Sequence, residues 1–178
     1  MEHGLQEKRN RIMAVALFIS REDLTNNTIL DGNIDTSKFI QFIKIAQQIH
    51  LQNYLGTALY DAISDKIVNN QLTGDYLLLV DKYLKPMLIH YAMVDYLPFA
   101  SYQISNGGVF KHRSENSEVA TPQEVDKMID RHRQFAQFYT RRYLDYMCYN
   151  SNLYPEYNNN DADGMWPDYT ADFTGWVL

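Results

Sequence analysis

The feature that most constrains this chain is a helix whose start and buried face can both be read. Thr121-Pro122-Gln123-Glu124 forms a capping box with proline at the first helical position. Such a box satisfies free backbone N–H groups at a helix start, and proline there lacks only a donor that would have no partner. Val125, Met128, Ile129, Phe135, Ala136, Tyr139, Tyr143, Tyr146 and Met147 then recur at helical spacing, with Lys127, Asp130, Arg133, Gln134 and Arg141 on the other side. The pattern predicts a helix over 122–149, about 40 Å long. The chain has 178 residues, enough for one domain and hardly two. The prediction is therefore a mainly α fold, a small helical bundle with one long C-terminal helix.

The preceding residues supply the other rods. Phe39, Phe42, Ile43, Ala46 and Ile49 recur at helical spacing against Gln41, Lys44 and Gln48, which predicts a helix over about 36–50. Asp35 or Ser37 is placed to cap it, after a turn-rich lead-in over 24–35. Tyr54, Leu55, Ala58, Leu59, Ala62, Ile63 and Ile67 predict a second helix over about 53–69, with Gly56 near its first turn. A third stretch over about 75–102 is interrupted at Pro86 and Pro98, where each proline removes a donor and crowds the preceding turn. Its segment from Met87 to Leu97 is apolar on nearly all sides, which predicts a central, buried helix. Helical period is lost over 103–120. Asn106-Gly107-Gly108 is a strong turn signal between β-compatible flanks, Tyr102 to Ile104 and Val109 to Lys111. A hairpin or protruding loop is expected there.

The two ends differ from the middle. Lys8, Arg9 and Arg11 precede the apolar run Met13 to Ile19. A secretory signal matches this poorly, because Glu2 and Glu7 sit in the basic region and Arg21, Glu22 and Asp23 stand where small residues belong. Residues 1–22 read instead as an N-terminal arm, with a short buried strand or extended segment, and 23–149 as the helical domain. The net charge is -6, but residues 150–178 carry Glu156, Asp161, Asp163, Asp168 and Asp172 and no base. The same tail holds Tyr154, Tyr157, Trp166, Tyr169, Phe173 and Trp176. It is too rich in Asn, Gly and Pro for a long helix and too aromatic for a disordered segment. An extended tail either folds back over its own domain or docks on another subunit.

Catalytic and metal motifs are not evident. A single cysteine, Cys148, sits near a predicted helix C-terminus, the opposite of the surroundings that activate a thiolate. His3, His50, His90, His112 and His132 show no metal-binding interval. His50 and His132 fall on apolar helix faces and read as core or boundary histidines; His90 lies five residues from Asp95, which is not a same-face pair. Asp61 and Asp65 read as a solvated face. No phosphate loop or nucleophile elbow occurs, no cofactor is expected, and no apolar run approaches a membrane span. The acidic balance argues against a protein that chiefly grips nucleic-acid phosphates. Arg131, Arg133, Arg141 and Arg142 share the long helix with Asp126, Asp130 and Asp145, so a mixed, salt-bridged face is favoured over a DNA-reading one.

Three stretches, taken in order, point to a family. They are Asp23-Leu24-Thr25-Asn26-Asn27-Thr28-Ile29-Leu30-Asp31-Gly32-Asn33-Ile34-Asp35, Ile49-His50-Leu51-Gln52-Asn53-Tyr54-Leu55-Gly56-Thr57-Ala58-Leu59-Tyr60-Asp61, and Ser105-Asn106-Gly107-Gly108-Val109 followed by Ser117-Glu118-Val119-Ala120. Over about residues 23–149 the set resembles head–tail connector (adaptor) proteins of tailed bacteriophages, in particular the ring proteins of crAss-like phages. The resemblance implies a structural virion protein without an active site. Such proteins form a ring, typically of twelve copies, beneath the portal, extend the DNA channel and present a surface to the next tail component. The implied partners are other copies of the chain, the portal protein, the next ring or adaptor, and genomic DNA passing through the lumen unbound. The implied location is the virion, with assembly in the host cytoplasm. Asn106, Gly107, Gly108, Val109 and Phe110 of the hairpin, with the six tail aromatics, are the expected interface residues. The alternative from another class is a DNA-binding or packaging accessory protein that uses the long-helix arginines.

Overall fold

A computed structural model describes residues 16–28, 36–100, 102–105, 108–111 and 121–158. In chain order the helices are α1 (Arg21–Asn27), α2 (Thr36–Ala46), α3 (Gln52–Leu55), α4 (Thr57–Val68), α5 (Gly74–Leu79), α6 (Lys85–Tyr96), α7 (Pro122–Asn150) and α8 (Pro155–Asn158). Strands β1 (Tyr102–Ser105) and β2 (Gly108–Lys111) lie between α6 and α7. The fold is mainly α, with the long helix where the capping box places it. Thr121 accepts from the Glu124 N–H, and the Glu124 carboxylate accepts from the Thr121 N–H at 2.8 Å. No helix among the described residues is long and apolar enough to cross a membrane.

α6 is the central rod, as its all-round apolarity predicts: Met87, Leu88, Ile89, Tyr91, Ala92 and Met93 are buried. Each large side chain contributes roughly 1.5–3 kcal/mol by leaving water. α7 runs antiparallel along it. Tyr83, just ahead of α6, stacks on Tyr146 at 4.2 Å between ring centroids, and further along α6 the Tyr91 hydroxyl meets that of Thr140 at 3.2 Å. α2 also packs on α6, with Phe39 and Phe42 closing on the Tyr96 ring at 4.7 and 5.5 Å.

Two π-helical turns depart from the sequence reading. The first, Gln47–Leu51, joins α2 to α3 without a break, so this rod runs past the predicted end at 50. Its cause lies in the core pattern. Phe39, Ile43, Gln47, Leu51 and Leu55 are all buried at intervals of four. In a regular α-helix each such step drifts by about 40°, and a wider turn corrects the drift. The same widening turns Ile49, an expected core residue, outward to 53 % exposure. The second π turn, Val80–Leu84, joins α5 to α6 and ends with the Lys85 N–H bonded to the Val80 carbonyl, immediately before Pro86. It absorbs the proline that was expected to interrupt the helix. At Pro98 the helix tightens into a 3₁₀ turn, Leu97–Phe99.

The break between the first two predicted helices falls at Gly56, not at 51–52. Its φ of 73° and ψ of 157° are open essentially to glycine alone. α1 was not expected; the region read as a lead-in, but Ser20 and Asp23 form a second capping box. Asp35 lies outside the described residues, and Ser37 falls inside α2, not at its cap.

The boundaries drawn at both ends move outward. Ala16, Phe18 and Ile19 are core residues, so the last part of the expected arm belongs to the domain; residues 1–15 lie outside the described residues. The Gln47 side chain holds this segment, accepting from the Phe18 N–H at 3.0 Å and donating to the Ala16 carbonyl at 2.9 Å. At the other end, a 3₁₀ turn (Ser151–Leu153) and α8 carry the chain back onto the domain. The extended tail therefore does not begin at 150. The expected hairpin is present: β1 and β2 pair antiparallel with Tyr102 opposite Lys111 and Ser105 opposite Gly108.

Candidate interaction surface

The expected interface residues separate into three groups. Tyr154 and Tyr157 are buried in their own domain, at 0 % and 2 % exposure, so neither offers a face to a partner. The reason is a tyrosine cluster that α8 closes. The Tyr154 hydroxyl donates to the Asp75 carbonyl at 3.0 Å and meets the Tyr146 hydroxyl at 3.0 Å, while its ring stands edge-on to Tyr76. Tyr76 donates to Glu156 at 2.7 Å. Burial, then the Glu156 bond, push the Tyr76 phenol up to about 12; burial, then Tyr146, push that of Tyr154 further up. Both stay neutral donors. Gly108, Val109 and Phe110 lie in β2, with Val109 paired to Ile104 and Phe110 to Gln103. Asn106, Gly107, Trp166, Tyr169, Phe173 and Trp176 lie outside the described residues.

The exposed apolar groups are elsewhere. Ile45 and Ile49 share one side of the α2 rod, one α-turn apart. Val68, Leu77 and Leu78 stand exposed where α4 passes to α5, and Phe99, 59 % exposed, stacks on Phe42 at the end of α6. On α7, Phe135 and Phe138 face water at 37 % and 58 %. Phe138 falls off the apolar stripe predicted for that helix. An aromatic out of phase with the core pattern is the signal that could have found it.

Arginines flank these α7 rings. The Arg131 guanidinium lies 4.7 Å from the Phe135 ring centre, a cation–π arrangement, and Arg142 reaches towards both Tyr83 and Tyr139. Arg133 is tied to Asp130 at 2.6 Å on the outer face. Among the described residues, Arg131, Arg141 and Arg142 have no carboxylate within ion-pair distance.

The histidines pair in ways their spacing did not suggest. His50 stacks on Tyr91 at 3.9 Å and approaches Asp95 at 3.7 Å. Asp95 thus meets His50, not His90. His90 Nδ1 lies 3.0 Å from His132 Nδ1, one ring donating and the other accepting, with Tyr139 stacked on His90. Burial, then the neighbouring His132, push His90 down to about 4; burial also lowers His132. At neutral pH both rings are uncharged. A cleft of about 360 Å³ opens beside them, where Lys85 bridges Asp81 at 2.8 Å and Asp23 at 3.5 Å. Lys85 is held protonated by these acids, against the opposing effect of burial. Among the described residues no three His, Cys, Asp or Glu side chains gather into a metal-binding group.

A protein family described as "Family of unknown function (DUF6712)" matches residues 51–163, from the first π turn through the hairpin, α7 and α8. The chain belongs to this family. No curated protein and no solved structure matches the chain. The family match covers the hairpin, the aromatic and arginine side of α7 and the His90–His132 pair, and leaves out the Ile45 side of α2.

Proposed function

We propose that this chain is a structural ring subunit of a phage head–tail connector, set below the portal and joining it to the next tail component. The observation that carries the reading is that exposed apolar side chains stand on two different parts of the domain: Ile45 and Ile49 on the α2 rod, and Val68, Leu77 and Leu78 on α4 and α5. A closed ring needs a head-to-tail contact, so each subunit must carry two unlike adhesive faces. The ordered sequence stretches that resemble ring proteins support the same reading. So does the hairpin, a two-stranded element with no third strand among the described residues.

In this role the domain needs no catalytic centre. Its partners are further copies of itself, the portal protein and the next ring, with DNA passing through the lumen, and its place is the virion. An acidic subunit suits a channel that must let DNA slide. The alternative, a DNA-binding accessory, loses one of its candidate contacts because Arg133 is engaged by Asp130.

Electron microscopy of the purified protein, alone and mixed with the matching portal protein, tests the reading. Closed rings, free or seated on the portal, are the expected images. Particles that stay single in both samples would overturn it.

A further inference from the structure

One side of α7 carries exposed aromatic rings together with arginines. Arg131, Phe135, Phe138, Arg142 and Tyr149 fall on one helical face, with Arg141 at its edge. Phe138 is 58 % and Tyr149 88 % exposed. Large apolar groups rarely stand open to water in a row, and here three arginines without a carboxylate partner among the described residues accompany them.

The same chain carries the complementary segment. Residues 159–178 hold Trp166, Tyr169, Phe173 and Trp176. They also hold Asp161, Asp163, Asp168 and Asp172, and no lysine or arginine. The segment starts at the right end of α7. Tyr157 is seated in the core, and the Asn158 side chain donates to the Ser151 carbonyl at 3.0 Å, beside the helix C-terminus. From Tyr149 to Arg131 is about 27 Å along the helix. Twenty residues can span roughly 66 Å when extended, so the reach is ample. A tether this short holds its end at millimolar effective concentration, which favours the chain's own tail over that of a second molecule.

We propose that residues 159–178 fold back along the exposed side of α7 in the same chain, their aromatics against Phe135 and Phe138 and their aspartates against Arg131, Arg141 and Arg142. The segment acts as a strap that covers this face and leaves the α2 and α4–α5 surfaces free. The inference does not depend on ring assembly.

The chain's two tryptophans, Trp166 and Trp176, both lie in the segment, so tryptophan emission reports its environment alone. The full-length protein should show blue-shifted emission and weak quenching by acrylamide, unchanged on dilution and partly reversed by salt. Replacing Phe138→Ala together with Arg141→Ala should raise quenching severalfold, towards that of the isolated 159–178 peptide. Both residues are exposed, so far-ultraviolet circular dichroism and melting temperature should hold; the single change Arg141→Glu gives a second reading in the same direction. Water-like emission in the unaltered protein would overturn the proposal, as would quenching indifferent to the substitutions. A blue shift that vanishes on dilution would also overturn it, by assigning the segment to a second copy or another partner. Particle mass measured on the same samples keeps this outcome separate from that of ring assembly.

Discussion

Gln47 lies 31 residues from Ala16 and 29 from Phe18, yet its amide satisfies a backbone group of each. An apolar replacement would leave two buried polar groups without partners. Gln47→Ala should therefore lower stability by about 2–4 kcal/mol in urea unfolding, whereas a Gln at an exposed site such as Gln48 should be replaceable at little cost. The His90–His132 contact is a second arrangement of this kind, 42 residues apart in sequence. Both rings are held neutral in the folded state and bind protons more readily once unfolded. Their contribution is thus complete above about pH 6.5 and is lost as the pH falls towards 4. The rings are only half-buried, so the loss should be about 1–2 kcal/mol after allowance for solvent screening. His132→Asn, which can still hydrogen-bond His90, should flatten the stability–pH curve between those limits; a curve unchanged by the substitution would contradict this account. Neither contact was legible in the sequence, because a buried amide or a histidine pair is defined by where two distant segments meet. Asp61 and Asp65, read as solvated, are exposed as expected, since that inference needed only local spacing.

Among the elements, the bounds of α7 were legible, though Phe135, placed in its apolar stripe, is exposed. Its capping box, its proline and its stripe all act within a few residues of one another, and its end moves by one residue, from 149 to 150. The central helix was legible for the same reason. The π turns were not. The first resolves a conflict between α-helical geometry and a core that repeats every four residues, a core known only once the neighbours are in place, and the second accommodates Pro86. Their cost to prediction was Ile49, placed inside and found outside. Gly56 lies in the predicted second helix, but its positive φ makes it the corner between α3 and α4. Gly56→Ala should destabilise the domain by roughly 1–3 kcal/mol, read as a lowered melting temperature with the helical circular dichroism of the folded state retained. Of the two courses left open for the tail, its first turn takes the one back onto its own domain. Composition described its chemistry correctly, but nothing in Tyr154 reveals that Asp75 and Tyr146 await it.

For the whole molecule, the account rests on apolar surface that the domain does not cover itself. α6 is buried along its length, while Ile45, Ile49, Val68, Leu77 and Leu78 are left exposed on two separate parts of the bundle. If these faces join successive copies, a charge placed on either one should block assembly without harming the fold. Light scattering coupled to size exclusion, applied to the protein and to Ile49→Asp and Leu78→Asp, is the most direct measurement. The account predicts a single large particle of fixed mass for the unaltered chain, and monomers of near 20.9 kDa with unchanged melting temperature for each variant. A monomer before substitution, at every concentration and in the presence of portal protein, or a particle mass indifferent to both charges, would contradict it.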